Sequence, residues 1–233
     1  MNSEQINPLN NLEKKEYIYI FGAGGKTSFI KYLRDYFHDI KKKCIISTTT
    51  KFAAWQFKDD CIIDEKLIYD GGCYVKAINR DNNKLIGYTP EILDDYFDKN
   101  DYSLFVEADG AQMLPIKYPE EYEPVISRRA TKFFLILGLD ALDKQLDKSN
   151  FHRLDILKKK HPEFSQKNLI DLNLFDIIIN IYLSKISDEN FFVILNKIDE
   201  CSHLKNQIIN FFETKNIHYA ISSFKEKSIE WIK

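Results

Sequence analysis

A strand-length apolar run, Tyr17-Ile18-Tyr19-Ile20-Phe21, stops against Gly22-Ala23-Gly24-Gly25-Lys26-Thr27-Ser28, and no other stretch constrains the fold as strongly. Aromatic and β-branched residues ending at a glycine cluster read as a buried strand. From Thr27 to Phe37, Phe29, Ile30, Leu33 and Phe37 recur at helical spacing, so a helix begins directly behind the glycines. Cys44-Ile45-Ile46 then supplies a second strand that ends in Ser47-Thr48-Thr49-Thr50-Lys51. Strand, helix, strand in that order implies a parallel sheet.

The glycine turn has a definite chemistry. Glycines let successive backbone N–H groups converge on an oxyanion, and the following helix adds the positive end of its dipole. Gly22, Ala23, Gly24, Gly25, Lys26, Thr27 and Ser28 are therefore candidates for holding a nucleoside triphosphate. Lys26 would act as a point charge on the terminal phosphates and the Thr27 hydroxyl as a Mg²⁺ ligand. The usual phosphate loop reads Gly-x-x-x-x-Gly-Lys-Ser/Thr; here Ile20 stands five before Gly25, so the loop is shorter and resembles that of Mur ligases. Leu104-Phe105-Val106 is another apolar strand, running into Glu107-Ala108-Asp109-Gly110. Carboxylates at that end of a strand suit Mg²⁺, with Glu107 preferred over Asp109 as ligand and both as catalytic candidates beside Lys26. Thr49, ending the second strand at the same sheet edge, is a further metal candidate.

The remaining chain keeps alternating. Tyr74–Ile78 and Lys84–Tyr88, around Asp81-Asn82-Asn83, predict a hairpin at the edge of the main sheet. Helices are expected over Glu91–Phe97, Asn168–Ile178 and Leu204–Phe212, and strands over Phe133–Leu137, Phe191–Leu195 and His218–Ser222. This pattern predicts one α/β domain over residues 1–233, a three-layer sandwich like that of P-loop NTPases with a mainly parallel sheet. Asn196-Lys197-Ile198-Asp199 follows the Phe191–Leu195 strand and resembles the Asn-Lys-x-Asp motif of GTPases, whose carboxylate accepts the paired N–H donors of guanine. Ser222, after the last strand, fits a loop closing over that base. Asn196, Lys197, Asp199 and Ser222 thus join the nucleotide-binding candidates, with GTP favoured and ATP left open.

Composition removes other classes. Thirty-three Lys and Arg against 35 Asp and Glu give no positive field to recruit nucleic acid or anionic lipid. Cys44, Cys61, Cys73 and Cys201 are too scattered for a zinc knuckle or disulfide framework. A polar amino terminus and the absence of a long apolar run point to a cytoplasmic chain with no membrane partner. The lysine runs at 41–43 and 158–160 read as solvated helix ends.

In this order the motifs resemble the YqeC family of selenium-dependent hydroxylase accessory, or selenium cofactor biosynthesis, proteins. The likeness is carried by Gly22–Ser28, Thr48-Thr49-Thr50-Lys51 and, most specifically, Glu107-Ala108-Asp109-Gly110 through Leu114-Pro115-Ile116-Lys117 to Glu123-Pro124-Val125-Ile126. Gly138-Leu139-Asp140 and His152-Arg153 extend it, while Ala111-Gln112-Met113 departs from the small or basic residues expected after Gly110. The resemblance implies a cytoplasmic nucleotide-binding protein that helps mature a selenium- and molybdenum-dependent hydroxylase, and it marks Asp109, Lys117, Asp140, His152 and Arg153 as candidate second-site residues. Two enzymatic roles follow: a slow nucleoside triphosphatase serving a hydroxylase or cofactor-maturation partner, or an ATP-dependent kinase or ligase acting on a small cofactor precursor. A selenium or metal carrier using the cysteines is the third, and lacks a ligand cluster.

Overall fold

The structure, a computed structural model, describes residues 7–9, 12, 15–53, 61–63, 73–186 and 189–233 of the chain. Among the described residues are fourteen β-strands and five α-helices. In order they are β1 (Tyr17–Gly22), α1 (Lys26–Asp39), β2 (Cys44–Thr48), β3 (Lys51–Ala53), β4 (Cys61–Ile63), β5 (Cys73–Ala77), β6 (Asn79–Asp81), β7 (Lys84–Ile86), α2 (Pro90–Lys99) and β8 (Ser103–Glu107). There follow β9 (Ile116–Lys117), β10 (Lys132–Gly138), β11 (Phe151–His152), α3 (Leu154–Lys160), α4 (Leu172–Lys185), β12 (Phe191–Asn196), α5 (Lys205–Glu213), β13 (His218–Ser223) and β14 (Ser228–Trp231).

A nine-stranded sheet in the order β14-β13-β12-β10-β1-β8-β2-β5-β4 is parallel throughout except at β13–β14. Its inner strands are apolar on both faces, as burial between two helical layers requires. Ile18 and Ile20 of β1 pack with Phe29, Ile30, Leu33 and Phe37 of α1 on one side. Tyr17, Tyr19 and Phe21 pack on the other with residues of α2, α4 and α5. The α/β class and mainly parallel sheet expected from sequence are present, and no described helix is long and apolar enough to cross a membrane.

The hairpin expectation needs correction. Tyr74–Ile78 does not form an edge hairpin arm, because β5 lies inside the main sheet between β2 and β4. The turn at Asp81-Asn82-Asn83 does form, but it joins β6 to β7 in a separate antiparallel sheet ordered β3-β7-β6. The chain bends away at Ile78, where apolar Val75 and Ala77 give way to exposed Asn79, Arg80 and Asp81. The hairpin at the main sheet's edge is β13–β14, which the sequence reading missed beyond Ser222. Helix α4 also starts later than Asn168, since Leu169 bridges Gln145 and the Asp171 carboxylate caps Leu174 N–H.

Candidate functional site

Parallel strands bring the carboxyl ends of β1, β8, β2 and β12 to one sheet edge, where open α/β sheets form crevices. There a cavity of about 570 Å³ is lined by Gly24, Gly25, Lys26, Thr27 and Ser28 on its floor and by Glu107 at its side. Helix α1 has no side-chain cap at Gly25 and no acidic residue in its first turn, so its dipole has no counter-anion from the helix itself. Backbone amides farther back are committed internally: Gly22 N–H to the Asp109 carboxylate at 2.9 Å and Ala23 N–H to Ile136 O at 2.8 Å.

Glycine is required here by space as well as by conformation. A Cβ on Gly24, at φ +82°, would lie 2.4 Å from Gly138 N and 2.6 Å from Pro115 O. On Gly25, at φ +138°, it would meet Asn196 Nδ2 at 2.2 Å. The loop is wedged between neighbouring backbones.

Lys26 lies folded against this loop. Its Nζ donates to Gly22 O at 2.7 Å and stands 3.1 Å from Asp109 Oδ1 and 3.9 Å from Glu107 Oε1. Burial alone would lower its pKa, but the carboxylates of Asp109 and Glu107 outweigh that and hold it above the usual lysine value. Glu107 is pushed up to about 7, by burial first, with Lys26 opposing and Asp109 adding. The pair looks inconsistent until distance is considered: Asp109 is the nearer anion and takes most of the lysine's charge. Glu107 is left the less compensated group, 7% exposed, its Oε2 buried without a hydrogen-bond partner.

Residues 18–155, more than half of the chain, match the family model described as YqeC protein. The chain belongs to the YqeC family. A curated relative, "Uncharacterized protein YqeC" of Escherichia coli (strain K12), is 26% identical over 146 residues, covering 58% of this chain and 57% of that protein. The chain therefore matches little more than half the length of that relative. The YqeC match takes in the glycine loop, Glu107, Lys117 and Arg153, and stops before Asn196, Asp199 and Ser222.

Asp109, a catalytic candidate from sequence, lies behind the loop and is wholly buried. Besides Gly22 N–H and Lys26, it receives Tyr182 Oη at 2.9 Å and Lys117 Nζ at 2.8 Å. Burial would raise its pKa; Lys26 and Lys117 more than reverse this and depress it. Enclosed by these donors, Asp109 braces the loop and does not line the cavity. Lys117 continues the network to Glu123 at 2.7 Å, and Arg153 donates through both terminal guanidinium nitrogens to the Glu123 carboxylate. His152, paired with Lys117 in the β9–β11 register, has its pKa lowered to about 4 by burial and then by the Arg153 and Lys117 charges. Asp109, Lys117, Glu123 and Arg153 thus form one charge network behind the glycine loop, flanked by His152, while Asp140 stands apart from it and pairs with Lys197.

The Thr49 hydroxyl donates to Val125 O at 2.7 Å, and Thr49 is not among the cavity-lining residues. Asn196 Nδ2 donates to Gly24 O at 2.8 Å, while its Oδ1 accepts from Ser222 Oγ at 3.1 Å. Lys197 lines the cavity and pairs with Asp140 at 2.7 Å. Asp199 is 12% exposed in the 3-10 turn after β12, 3.9 Å from Lys225 Nζ, and lies outside the cavity lining. Tyr182, missed from sequence, sits in a helix apolar on nearly every face, where no spacing signals a functional hydroxyl. Among the described residues no three His, Cys, Asp or Glu side chains converge as a metal cluster. A divalent cation here would need phosphate and water oxygens to complete a shell begun by Glu107 and Thr27. Cys44 and Cys201 are buried and form no disulfide, and the Cys201 thiol is pushed up to about 11 by burial, as befits an inert side chain. Cys61 and Cys73 have side chains outside the described residues.

Proposed function

We propose that the glycine loop binds a Mg²⁺-nucleoside triphosphate, guanine preferred, as a P-loop NTPase-like site. The chain hydrolyses it slowly while helping to mature a selenium- and molybdenum-dependent hydroxylase or its selenium cofactor. The observation that carries the reading is Glu107: a carboxylate with a buried, unpartnered oxygen beside the Lys26 ammonium and the uncapped start of α1. Leaving such an oxygen dry costs about 1–3 kcal/mol, a cost that Mg²⁺ or its bound water would relieve. Lys26 would exchange Gly22 O for phosphate oxygens, and Thr27 would complete the cation's protein ligands.

Guanine preference draws support from the place of Asp199 and Ser222 at the ends of β12 and β13, on the same sheet edge as the loop. Asn196 ties that side to the loop through Gly24 O. The maturation role comes from the family resemblance of the sequence. The partner would be the hydroxylase or a cofactor-loading protein, with no role for nucleic acid or membrane.

Calorimetric titration of GTP and ATP with Mg²⁺ tests the site. Wild type should bind GTP more tightly. Lys26→Ala should weaken both by about 100-fold, the equivalent of about 2.7 kcal/mol. Asp199→Ala should abolish the preference alone. If neither nucleotide binds wild type, the glycine loop is structural and the reading is lost.

A further inference from the structure

The cavity is larger than the phosphate loop requires, and it extends away from the base-reading residues. Asp199 follows β12 and Ser222 lies in β13, on one side of β1; β8 and β2 lie on the other. A nucleotide with its base near Asp199 and its phosphates on the loop would end at Glu107, one strand beyond β1. Strands lie about 4.8 Å apart, so a further strand's width of cavity remains past that point.

The small sheet walls that far arm. In its register Ala53 faces Lys84, and Lys51, two residues before Ala53, shares the same face; all three line the cavity. Leu85 points the opposite way and is fully buried in the core that covers α1, so the sheet cannot turn its lysines elsewhere. Gly87 fixes it in place: its N–H donates to Thr50 O at 3.3 Å, and a Cβ there would lie 1.6 Å from Thr48 O. The opposite wall is the loop from Gly110 to Leu114, where Gln112 and Met113 both hold left-handed backbone at φ +48° and +62°. Two consecutive side-chain-bearing residues in that region are costly and mark functional loops. Four lysines, at 26, 51, 84 and 197, line the cavity beside one lining carboxylate, Glu107, while Lys26, Lys51 and Lys197 also have carboxylate partners in Asp109, Asp81 and Asp140. The lining itself is thus cationic, and an incoming anion would compete with Asp81 for Lys51.

We propose that the far arm is a subsite for a small second ligand bearing a carboxylate or phosphate group, held by Lys51 and Lys84 beside the terminal phosphate of the nucleotide. The proposal rests on the nucleotide reading of the glycine loop. It gives the molecule a two-ligand site, as a kinase or ligase needs and a simple nucleoside triphosphatase does not.

The test loads the full chain with Mg²⁺ and β,γ-imido-GTP, then titrates inorganic phosphate in one arm and succinate in another by calorimetry. At least one anion should bind the loaded protein at one site. The double variant Lys51→Ala/Lys84→Ala should weaken that binding by about tenfold or more while keeping nucleotide affinity within about twofold. Both lysines are exposed or half-exposed, so the variant should fold; an unchanged thermal transition verifies this. If neither anion binds the loaded wild type, the proposal is overturned while the nucleotide reading survives. An anion that binds the double variant equally well, or only the nucleotide-free protein, also overturns it. Absence of nucleotide binding removes both readings together, and that outcome is visible before any anion is added.

Discussion

Asp109 keeps a negative charge in a place with no exposed surface because Gly22, Tyr182, Lys26 and Lys117 all donate to it. Asp109→Asn would remove the charge and leave buried Lys117 with Glu123 as its carboxylate partner and Gly110 O as its other acceptor. Breaking one partner from a buried ion network costs about 3–5 kcal/mol, so urea unfolding should show a loss of that order; a change under about 1 kcal/mol would contradict the network's role. His152 offers a test by pH. Its folded pKa of about 4 lies below the usual histidine value, so the unfolded chain takes up the proton first as pH falls. Stability from this group is complete above about 6.5 and declines as pH drops toward 4. Glu107, raised to about 7, acts with the opposite sign across much of the same window, so the wild-type profile should be shallow. The difference in melting temperature between wild type and His152→Asn isolates the histidine, and should narrow as pH falls from 6.5 to 4. A difference that stays constant would mean that His152 is not held neutral. At this scale the sequence was partly readable. Lys26, Thr27 and Glu107, picked out because phosphate chemistry suits those types beside glycines and strand ends, do line one cavity. Asp109 matched the same pattern yet turned inward, since nothing in sequence spacing says which of two alternate strand-end carboxylates faces the crevice.

Elements were legible where burial is symmetric and obscure where tertiary contacts decide. Strands β1, β8, β10 and β12 are apolar runs enclosed on both faces, and their order along the chain alone implied parallel pairing. Helix α1 was equally clear from Phe29, Ile30, Leu33 and Phe37. The short pairs were not: β9–β11 has two residues in each strand, and β3 and β6 three each, too few for a period to register. The small sheet is held by Leu85, buried in the core, and by Gly87, pressed against Thr48 O. Gly87→Ala should detach β3, β6 and β7 from the carboxyl end of β2 while leaving the nine-stranded sheet intact. Hydrogen exchange should then quicken across residues 79–86 with far less effect in β1 and β10. Uniform destabilisation would show that the small sheet is an integral part of the core.

Across the whole molecule, sequence distance and spatial distance part company. Asn196 and Gly24 are 172 residues apart and joined by a 2.8 Å hydrogen bond. Strand β10 pairs with β1 on one side and with β12 on the other. The family-matched segment, residues 18–155, holds the glycine loop and Glu107 but neither Asn196 nor β12. A fragment ending at Asp155 should therefore lack a cooperative thermal transition, because β10 would expose an unpaired apolar edge and Gly24 would lose its tether. A sharp transition near that of the full chain would refute this. The same long tether has a meaning in time. A ribosome delivers the glycine loop early and Asn196 late, so for most of synthesis the nascent chain carries a loop without this tether. The loop's supports are complete only once translation has passed β12.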